Sequence, residues 1–309
     1  MVDFDDNAQL DSSQIEDRRG RRGVPRGRGG IAVGGGGLGI IGVILALLFG
    51  GGVLGGGGDG GLGGLSSLDG TSIGPGAAGE GAGAGEVQTE CRNGADADAR
   101  EDCRMLAFIN DIQRYWRAEF RQLGETYRPA TTVLFSGSTQ SACGPATEQT
   151  GPFYCPADQK IYLDLGFFRT LQDQYGARGG PFAQAYVISH EYGHHVQNLL
   201  GILDQIQSDR RTGPQSAAVR SELQADCFAG AWAANAGQGV IGFDVSQAEI
   251  ADALDAAAAV GDDRIQETFQ GRVIPESWTH GSSDQRRFWF NAGFQAAGPQ
   301  ACNTFKGRV

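Results

Sequence analysis

Two histidines, His190 and His194, stand four positions apart in the chain, and Glu191 follows the first of them. Positions four apart on an α-helix lie about 40° from one another and one turn along the axis, so the two imidazoles would face one point. Neutral imidazoles are good zinc ligands, and a glutamate beside the first can reach the attacking water without binding the metal. The spacing therefore predicts a zinc site in which Glu191 is the catalytic base.

A pair of histidines that only makes structural hydrogen bonds is the alternative interpretation. The chain has four histidines in all, and this pair lies in a predicted helix with apolar residues on both sides of the motif. That is the setting of a buried active-site helix. The adjacent His195 would point about 140° away from His190, so we expect it on another face of the helix and not at the metal.

The candidate third ligand is Glu222, because a catalytic zinc usually has three protein ligands. Asp226 follows Glu222 by four positions on the next predicted helix. Glu222 can therefore bind the metal while Asp226 accepts the ring N–H of a ligand histidine. Two solvated carboxylates are the alternative, but Asp226 lies among apolar residues, where an idle charge is unfavourable.

The elements that must position these residues are mostly helices. Apolar residues at three-and-four spacing, Pro and Ser at the starts and Gly after the ends are typical of helices. Short β-branched or aromatic runs bounded by Pro and Gly are typical of strands. The predicted helices cover 100–123, 182–200, 216–235, 246–260 and 283–297, and the predicted strands cover 131–135 and 160–165. The fold class is thus α+β, a mostly helical domain with a small sheet.

Three separated strings resemble one known family. The strings 185–201, 220–230 and 279–286, which contain His190, Glu222 and His280, look like the bacterial putative neutral zinc metallopeptidase family. The resemblance implies a zincin-like domain and a gluzincin-type site, with a glutamate as third ligand and Zn²⁺ as cofactor. It also implies a metallopeptidase, expected to be a metalloendopeptidase, with a peptide or protein as substrate.

The order of the motifs is also similar to that of HtpX-like and prenyl-protein-processing membrane proteases, where a histidine follows the second helix. By that similarity His280 would stabilise the oxyanion, and an ordinary loop histidine is the alternative. The similarity does not extend to their several membrane helices, so their substrates do not carry over. The string Asp262-Asp-Arg264 resembles the family as well, but the sequence assigns it no physical role.

An uncharged, apolar stretch at 31–54 predicts one transmembrane helix, because 24 helical residues reach roughly 36 Å. Six arginines lie directly before it and acidic residues follow it, which places the N-terminus in the cytoplasm and the rest outside. A cleaved signal peptide, ending near Ala82-Gly-Ala84, is the alternative. We therefore expect a cytoplasmic tail at 1–30, a membrane helix at 31–54, a Gly-rich linker at 55–89 and the catalytic domain at 90–305.

Six cysteines all follow the predicted membrane helix, as in a domain that faces an oxidising compartment. Six cysteines allow 15 pairings; buried free thiols are the alternative. Proximity in sequence favours two pairs and leaves a third as the remainder. The favoured pairs are Cys91–Cys103, Cys143–Cys155 and Cys227–Cys302.

The net charge of −11 argues against a nucleic-acid surface, which needs clustered cations. The sequence therefore predicts a zinc peptidase that works at the extracytoplasmic face of the cell membrane. Two other functions remain open: a membrane-tethered binding or scaffold protein without turnover, and a zinc amidase that acts on cell-wall peptides. The intact Glu191 beside both histidines favours an enzyme.

Overall fold

A computed structural model describes residues 2–20, 85–206, 209–239 and 241–309. The fold is a mostly helical α+β domain with small sheets, as the sequence predicted. The helices are α1 Glu86–Glu90, α2 Gly94–Ala99, α3 Glu101–Gln122, α4 Gly166–Asp173, α5 Pro181–Leu199, α6 Ile202–Ile206, α7 Ala217–Ala233, α8 Gln247–Ala259, α9 Asp262–Gln270 and α10 Ser283–Ala296. The strands are β1 Ile15–Asp17, β2 Thr131–Phe135, β3 Ser138–Ser141, β4 Gly144–Thr147, β5 Phe153–Cys155 and β6 Lys160–Asp164.

The main sheet has the strand order β1-β2-β6-β5, in which β1 and β5 are the edges. β1 and β6 both run parallel to β2, with Thr132 paired to Ile161, and β5 runs antiparallel to β6. β3 and β4 form a separate antiparallel hairpin. The N-terminal strand β1 therefore forms one edge of the sheet. The antiparallel strand β5, which packs on α5, forms the other edge.

The predicted helices and strands agree with the observed ones to within a residue or two. The start signals account for this agreement: Pro181 lies at the first turn of α5, and Ser246 and Ser282 form capping boxes at α8 and α10. Gly201, with φ +70°, follows the end of α5. The shorter elements were not predicted, namely α1, α2, α4, α6, α9, β1, β3, β4 and β5.

Two helices, α7 and α10, approach each other closely through a pair of glycines. A Cβ at Gly230 would lie 1.9 Å from the carbonyl oxygen of Phe290, and one at Gly293 would lie 1.9 Å from that of Cys227. A larger residue at either position would force the backbones apart. The close contact places the start of α10 beside the middle of α7, where the candidate site lies.

The structure contains the three disulfides that the sequence favoured, Cys91–Cys103, Cys143–Cys155 and Cys227–Cys302. The first ties the segment after α1 to α3, and the second encloses the β4–β5 region. The third joins α7 to the C-terminal segment across 75 positions, so it closes the longest loop of the three.

The N-terminal residues 2–20 belong to the folded domain, so the prediction of a separate tail at 1–30 is wrong for them. Ile15 pairs with Thr132 of β2, the backbone N–H of Asp5 donates to Gly242, and Phe4 is buried. Arg19 is buried and makes ion pairs with Asp17 and Asp102, so its expected role as a membrane-flanking charge is wrong. The folded part also extends beyond 90–305, to 85 and 309.

The predicted membrane helix at 31–54 and linker residues 55–84 lie outside the described residues. Among the residues that the structure describes, no helix is both long and apolar enough to cross a membrane.

Candidate metal centre

The candidate site forms where α5 and α7 cross, and Gly193 sets how closely they approach. A Cβ at Gly193 would lie 2.9 Å from the Cα of Ala225 and 3.2 Å from its carbonyl oxygen. Only a residue without a side chain allows this contact between the two backbones. His190 and His194 lie on either side of Gly193, so the close approach brings both imidazoles to the carboxylate of Glu222.

The three side chains converge. Nε2 of His190 lies 3.1 Å from one oxygen of Glu222, and Nε2 of His194 lies 3.5 Å from the other. One ligand atom from each residue lies within 4.8 Å of the others, and all three residues are buried. The sequence predicted that these three residues form one metal site, and the fold brings them together from two helices.

The donor set and its spacing fit zinc. Two atoms that each bind a tetrahedral zinc at 2.0–2.1 Å lie about 3.3 Å apart, close to the two measured separations. Both carboxylate oxygens of Glu191 are buried, and among the described residues no side chain forms a hydrogen bond with them; the backbone N–H of Tyr154 faces this carboxyl. A buried carboxylate with so few partners is costly, and a metal ion with its water fits at this point.

The charges at the centre are strongly coupled. Burial alone would lower the pKa of His190, but Asp226 and Glu222 raise it to about 9. Burial would raise the pKa of the Glu222 carboxyl, but His194 and His190 lower it well below its usual range. In the protein without metal, protons on the imidazoles therefore balance the buried carboxylate, and a cation would replace them.

Comparison with known proteins agrees with this geometry. The model of the family described as "Putative neutral zinc metallopeptidase" matches residues 5–305. The chain belongs to this family. Zinc, which the family description names, is therefore its metal, and the matched range includes the N-terminal residues as well as the metal centre.

Two relatives show how far the similarity extends. The chain is 48% identical over 224 residues to the uncharacterized protein Rv2575 of Mycobacterium tuberculosis, covering 70% of this chain and 75% of that protein. It is 44% identical over 215 residues to the uncharacterized protein YpfJ of Escherichia coli K12, covering 68% of this chain and 72% of that protein. No solved structure matches.

His190 is held by a buried network in this metallopeptidase site. Its Nδ1 lies 2.8 Å from Oδ1 of Asp226, as the four-residue spacing from Glu222 had indicated. Arg286 donates to both oxygens of Asp226, each at 2.9 Å, and the hydroxyl of Tyr186 donates to Oδ1 at 2.6 Å. A carboxylate at Nδ1 fixes the ring orientation and leaves Nε2 for the metal.

His194 is held in a different way, by a neutral amide. Its Nδ1 lies 2.9 Å from Oε1 of Gln197, which also accepts a hydrogen bond from the hydroxyl of Ser221. The amide nitrogen of Gln197 donates to the carbonyl of Ser221 and to Gln224. Helical spacing could have found Gln197 and Tyr186, since they lie three after His194 and four before His190. No spacing in the sequence indicates the role of Arg286.

The two remaining histidines lie in different surroundings. His195 points away from the metal centre, as expected, and bonds the carbonyl of Arg128 through Nε2 and the hydroxyl of Tyr154 through Nδ1. Burial lowers its pKa to about 4, so it stays neutral at physiological pH. His280 is buried on the loop before α10, close enough to Glu222 for its charge to lower the pKa of that carboxyl. It is not part of the group of three ligand atoms.

Proposed function

We propose that the protein is a zinc-dependent peptidase that hydrolyses peptide bonds. The observation that carries the proposal is the buried convergence of His190, His194 and Glu222 beside the buried carboxylate of Glu191. A structural zinc site is normally closed by four protein ligands. Three ligands with an adjacent carboxylate that does not belong to the set are instead the arrangement of a hydrolytic site.

Bound zinc would supply a Lewis acid that polarises the scissile carbonyl and acidifies a water molecule. Glu191 then takes the proton of the attacking water and delivers it to the leaving amine. Burial raises the pKa of the Glu191 carboxyl, although the charges of His194 and His190 oppose the shift. His280 donates to the oxyanion that develops on the carbonyl oxygen.

The position of β5 favours an extended peptide as the substrate. β5 is an edge strand of the main sheet, and it packs against α5, the helix that carries Glu191. Extended peptides bind by adding a strand to an exposed edge, where backbone hydrogen bonds give affinity without regard to side chains. The three residues of β5 are buried, so the segment that covers this edge has to move aside before a peptide can pair with it. We propose that the substrate lies along β5 with its scissile bond over the metal centre, as an endopeptidase requires.

The decisive experiment is cleavage of casein and of quenched fluorescent peptides by the zinc-loaded chain. Glu191→Gln should lower kcat by at least about 10²-fold while zinc content stays at one ion per chain. The matched control is Glu267→Gln, which changes an exposed glutamate on α9 and should leave kcat unchanged. Equal activity of Glu191→Gln and the wild type would contradict the proposal.

The same assay separates the two other functions. Release of amino groups from cell-wall peptides, without cleavage of casein or unstructured peptides, would indicate a zinc amidase. Stoichiometric zinc with no turnover of either class of substrate would indicate a binding or scaffold protein. The buried Glu191 beside the metal ligands favours turnover over these alternatives, because a binding protein gains nothing from a buried carboxylate that neither binds the metal nor pairs with a side chain.

We also propose that the catalytic domain acts on the extracytoplasmic side. The support is its three disulfides, since disulfides persist in oxidising compartments. Residues 2–20 pack into the same domain, so the proposal includes them on the extracytoplasmic side, in place of the cytoplasmic position first expected for them. A single membrane crossing at 31–54 would put residues 2–20 and 85–309 on opposite sides and does not fit this packing, so the predicted membrane helix is not part of the proposal.

Cysteine labelling tests this location. Ser13→Cys and Gln300→Cys each place one extra thiol at an exposed position, the first on the N-terminal segment and the second near the C-terminus. Both should react with a membrane-impermeant maleimide in intact spheroplasts. No labelling of Gln300→Cys would contradict the extracytoplasmic location. Labelling of Gln300→Cys alone would show that the N-terminal segment lies on the other side.

A further inference from the structure

Two consecutive aspartates, Asp262 and Asp263, begin α9 and face the loop that precedes α10. The backbone N–H groups of Thr279, His280 and Gly281 all donate to Oδ2 of Asp262, at 2.8, 2.7 and 3.0 Å. In return, the backbone N–H of Asp262 donates to the carbonyl of Gly281 at 2.9 Å. The buried carboxylate of Asp262 thus holds three successive residues of the loop in one conformation.

The second oxygen of Asp262 acts on the side chain of His280. Oδ1 lies 3.3 Å from Nδ1 of the ring, which also lies 2.9 Å from the hydroxyl of Thr279. A carboxylate can only accept a hydrogen bond, so Nδ1 carries a proton in this contact, and Nε2 can donate to a substrate oxygen only when the ring carries a second proton as an imidazolium. Asp226 holds His190 by its Nδ1 in the same way.

Asp263 has no such contact with the ring. Its Oδ1 accepts from the backbone N–H and from the hydroxyl of Ser283, both at 2.8 Å. It therefore anchors the end of the loop, at the first residue of α10. Asp262 thus binds the backbone of residues 279–281, and Asp263 binds Ser283. Of these two carboxylates, Asp262 is the one that contacts the ring of His280.

The held loop lies against the part of α7 that carries Glu222. Trp278 packs with Val219 and Leu223, and a Cβ at Gly281 would lie 3.2 Å from Leu223. Gly281 has φ +89°, a conformation that favours glycine, so the turn depends on this residue as well as on Asp262. His280, between Trp278 and Gly281, is therefore fixed beside the metal ligands.

We propose that Asp262 is the positioning residue for His280: it fixes the backbone of the loop and the orientation of the ring, and its charge offsets that of the imidazolium, whose Nε2–H donates to the oxyanion. The proposal rests on the proposed peptidase function for its kinetic consequence. Its structural part, the control of the His280 ring by Asp262, does not depend on turnover.

The kinetic test is a double-mutant cycle in the zinc-loaded full chain. Asp262→Asn keeps an oxygen for the backbone N–H groups but removes the carboxylate that orients the ring, so kcat should fall about 10- to 100-fold with KM, zinc content and Tm nearly unchanged. In the His280→Ala background the same substitution should cost less than about twofold. The matched control is Asp263→Asn, whose effect should be small and equal in both backgrounds.

A loss from Asp262→Asn that is as large without His280 as with it would overturn the proposal. A loss confined to Tm or zinc content would also overturn it, because the residue would then be only structural.

A spectroscopic readout separates this proposal from the peptidase assignment. Long-range ¹H–¹⁵N NMR of histidine-labelled protein distinguishes the tautomers of the four rings, with the His280 signals assigned by His280→Ala. Asp262→Asn should shift the His280 nitrogens away from the Nδ1–H form, and Asp263→Asn should leave them unchanged. Unchanged His280 signals in Asp262→Asn would overturn the proposal even if the protein cleaves no peptide. A shift in an inactive protein would overturn only the peptidase function.

Discussion

Two regions of the molecule bury an arginine against aspartate, and they differ in what surrounds the pair. At the metal centre Arg286 donates to both oxygens of Asp226. At the N-terminal segment Arg19 makes ion pairs at 2.7 and 2.8 Å with Asp17 and Asp102. Both arginines are buried, and both join parts of the chain that are far apart in sequence.

The difference lies in the polar atoms that remain. At the N-terminal segment Asp102 also binds Arg100, which pairs in turn with Glu86 and Glu90, so each charged group of the cluster has a partner of opposite charge. At the metal centre the buried Glu191 has no side-chain hydrogen-bond partner among the described residues, and Nε2 of His194 faces only the carboxylate of Glu222, at 3.5 Å. The first cluster only holds the chain, whereas the second positions side chains for a group that the protein must bind.

The largest effect is expected from Arg286→Met. It leaves Asp226 as a buried carboxylate without its cation, which should lower the free energy of unfolding by about 3–5 kcal/mol. Because Asp226 then orients His190 poorly, zinc affinity should fall about 10- to 100-fold. Denaturant unfolding and competition with a zinc chelator measure the two effects.

The control is the neighbouring Arg287→Met, whose partner Asp284 lies 3.8 Å away at the surface. It should change neither quantity appreciably. Equal behaviour of the two variants would mean that the Arg286 network does not support the site.

The next effect is expected from Arg19→Met, which breaks the cluster at the N-terminal segment. Arg100 still neutralises Asp102, so the loss should be smaller, about 2–4 kcal/mol of unfolding free energy. Zinc affinity and kcat per folded molecule should stay at the wild-type level, because no atom of this cluster reaches the metal centre. A fall in zinc affinity comparable to that of Arg286→Met would erase the distinction between the two regions.

The sequence predicted the site because its information is local. His190 and His194 are one helical turn apart, and so are Glu222 and Asp226, so each pair could be placed on one helix face before the fold was known. The crossing of the two helices was not readable from spacing, and it depends on Gly193, whose missing side chain lets the backbones touch.

The N-terminal strand could not be predicted for the opposite reason. Ile15 pairs with Thr132, and Arg19 with Asp102, at separations that no local pattern reports. A three-residue strand is shorter than any period that can be recognised, and a run of arginines before an apolar stretch favoured a membrane-flanking tail. The role of Asp262 could not be predicted either. The sequence showed only that residues 262–264 resemble a family string, and the residues that Asp262 binds are 17 to 19 positions away.

A third prediction concerns the pH dependence of zinc binding. In the metal-free protein the pKa of His190 is raised from 6.5 to about 9, so protonation stabilises the fold below pH 6.5 and this contribution is lost as the pH rises through about 9. Zinc must displace the proton, so its apparent affinity should rise about tenfold per pH unit up to about pH 9 and then level off. A second proton from His194, whose pKa is also raised, would steepen the slope.

Chelator competition between pH 6 and 9.5 measures this slope, and the increase in Tm on adding zinc should grow over the same range. Affinity that is independent of pH would show that the imidazoles are already neutral in the metal-free protein. Arg19→Met should give the same slope as the wild type, which separates the two clusters by a second measurement.

The smallest effect is expected at His195. It adjoins the metal motif, but, like the charged groups around Arg19, it has partners for its polar atoms. Both ring nitrogens have partners, the carbonyl of Arg128 and the hydroxyl of Tyr154, and its pKa of about 4 keeps it neutral. His195→Gln can replace one of these hydrogen bonds, so the unfolding free energy should fall by about 1 kcal/mol while zinc affinity and its pH slope stay unchanged. Loss of zinc from this variant would mean that position in the motif, and not the partners of each buried atom, decides which histidine serves the metal.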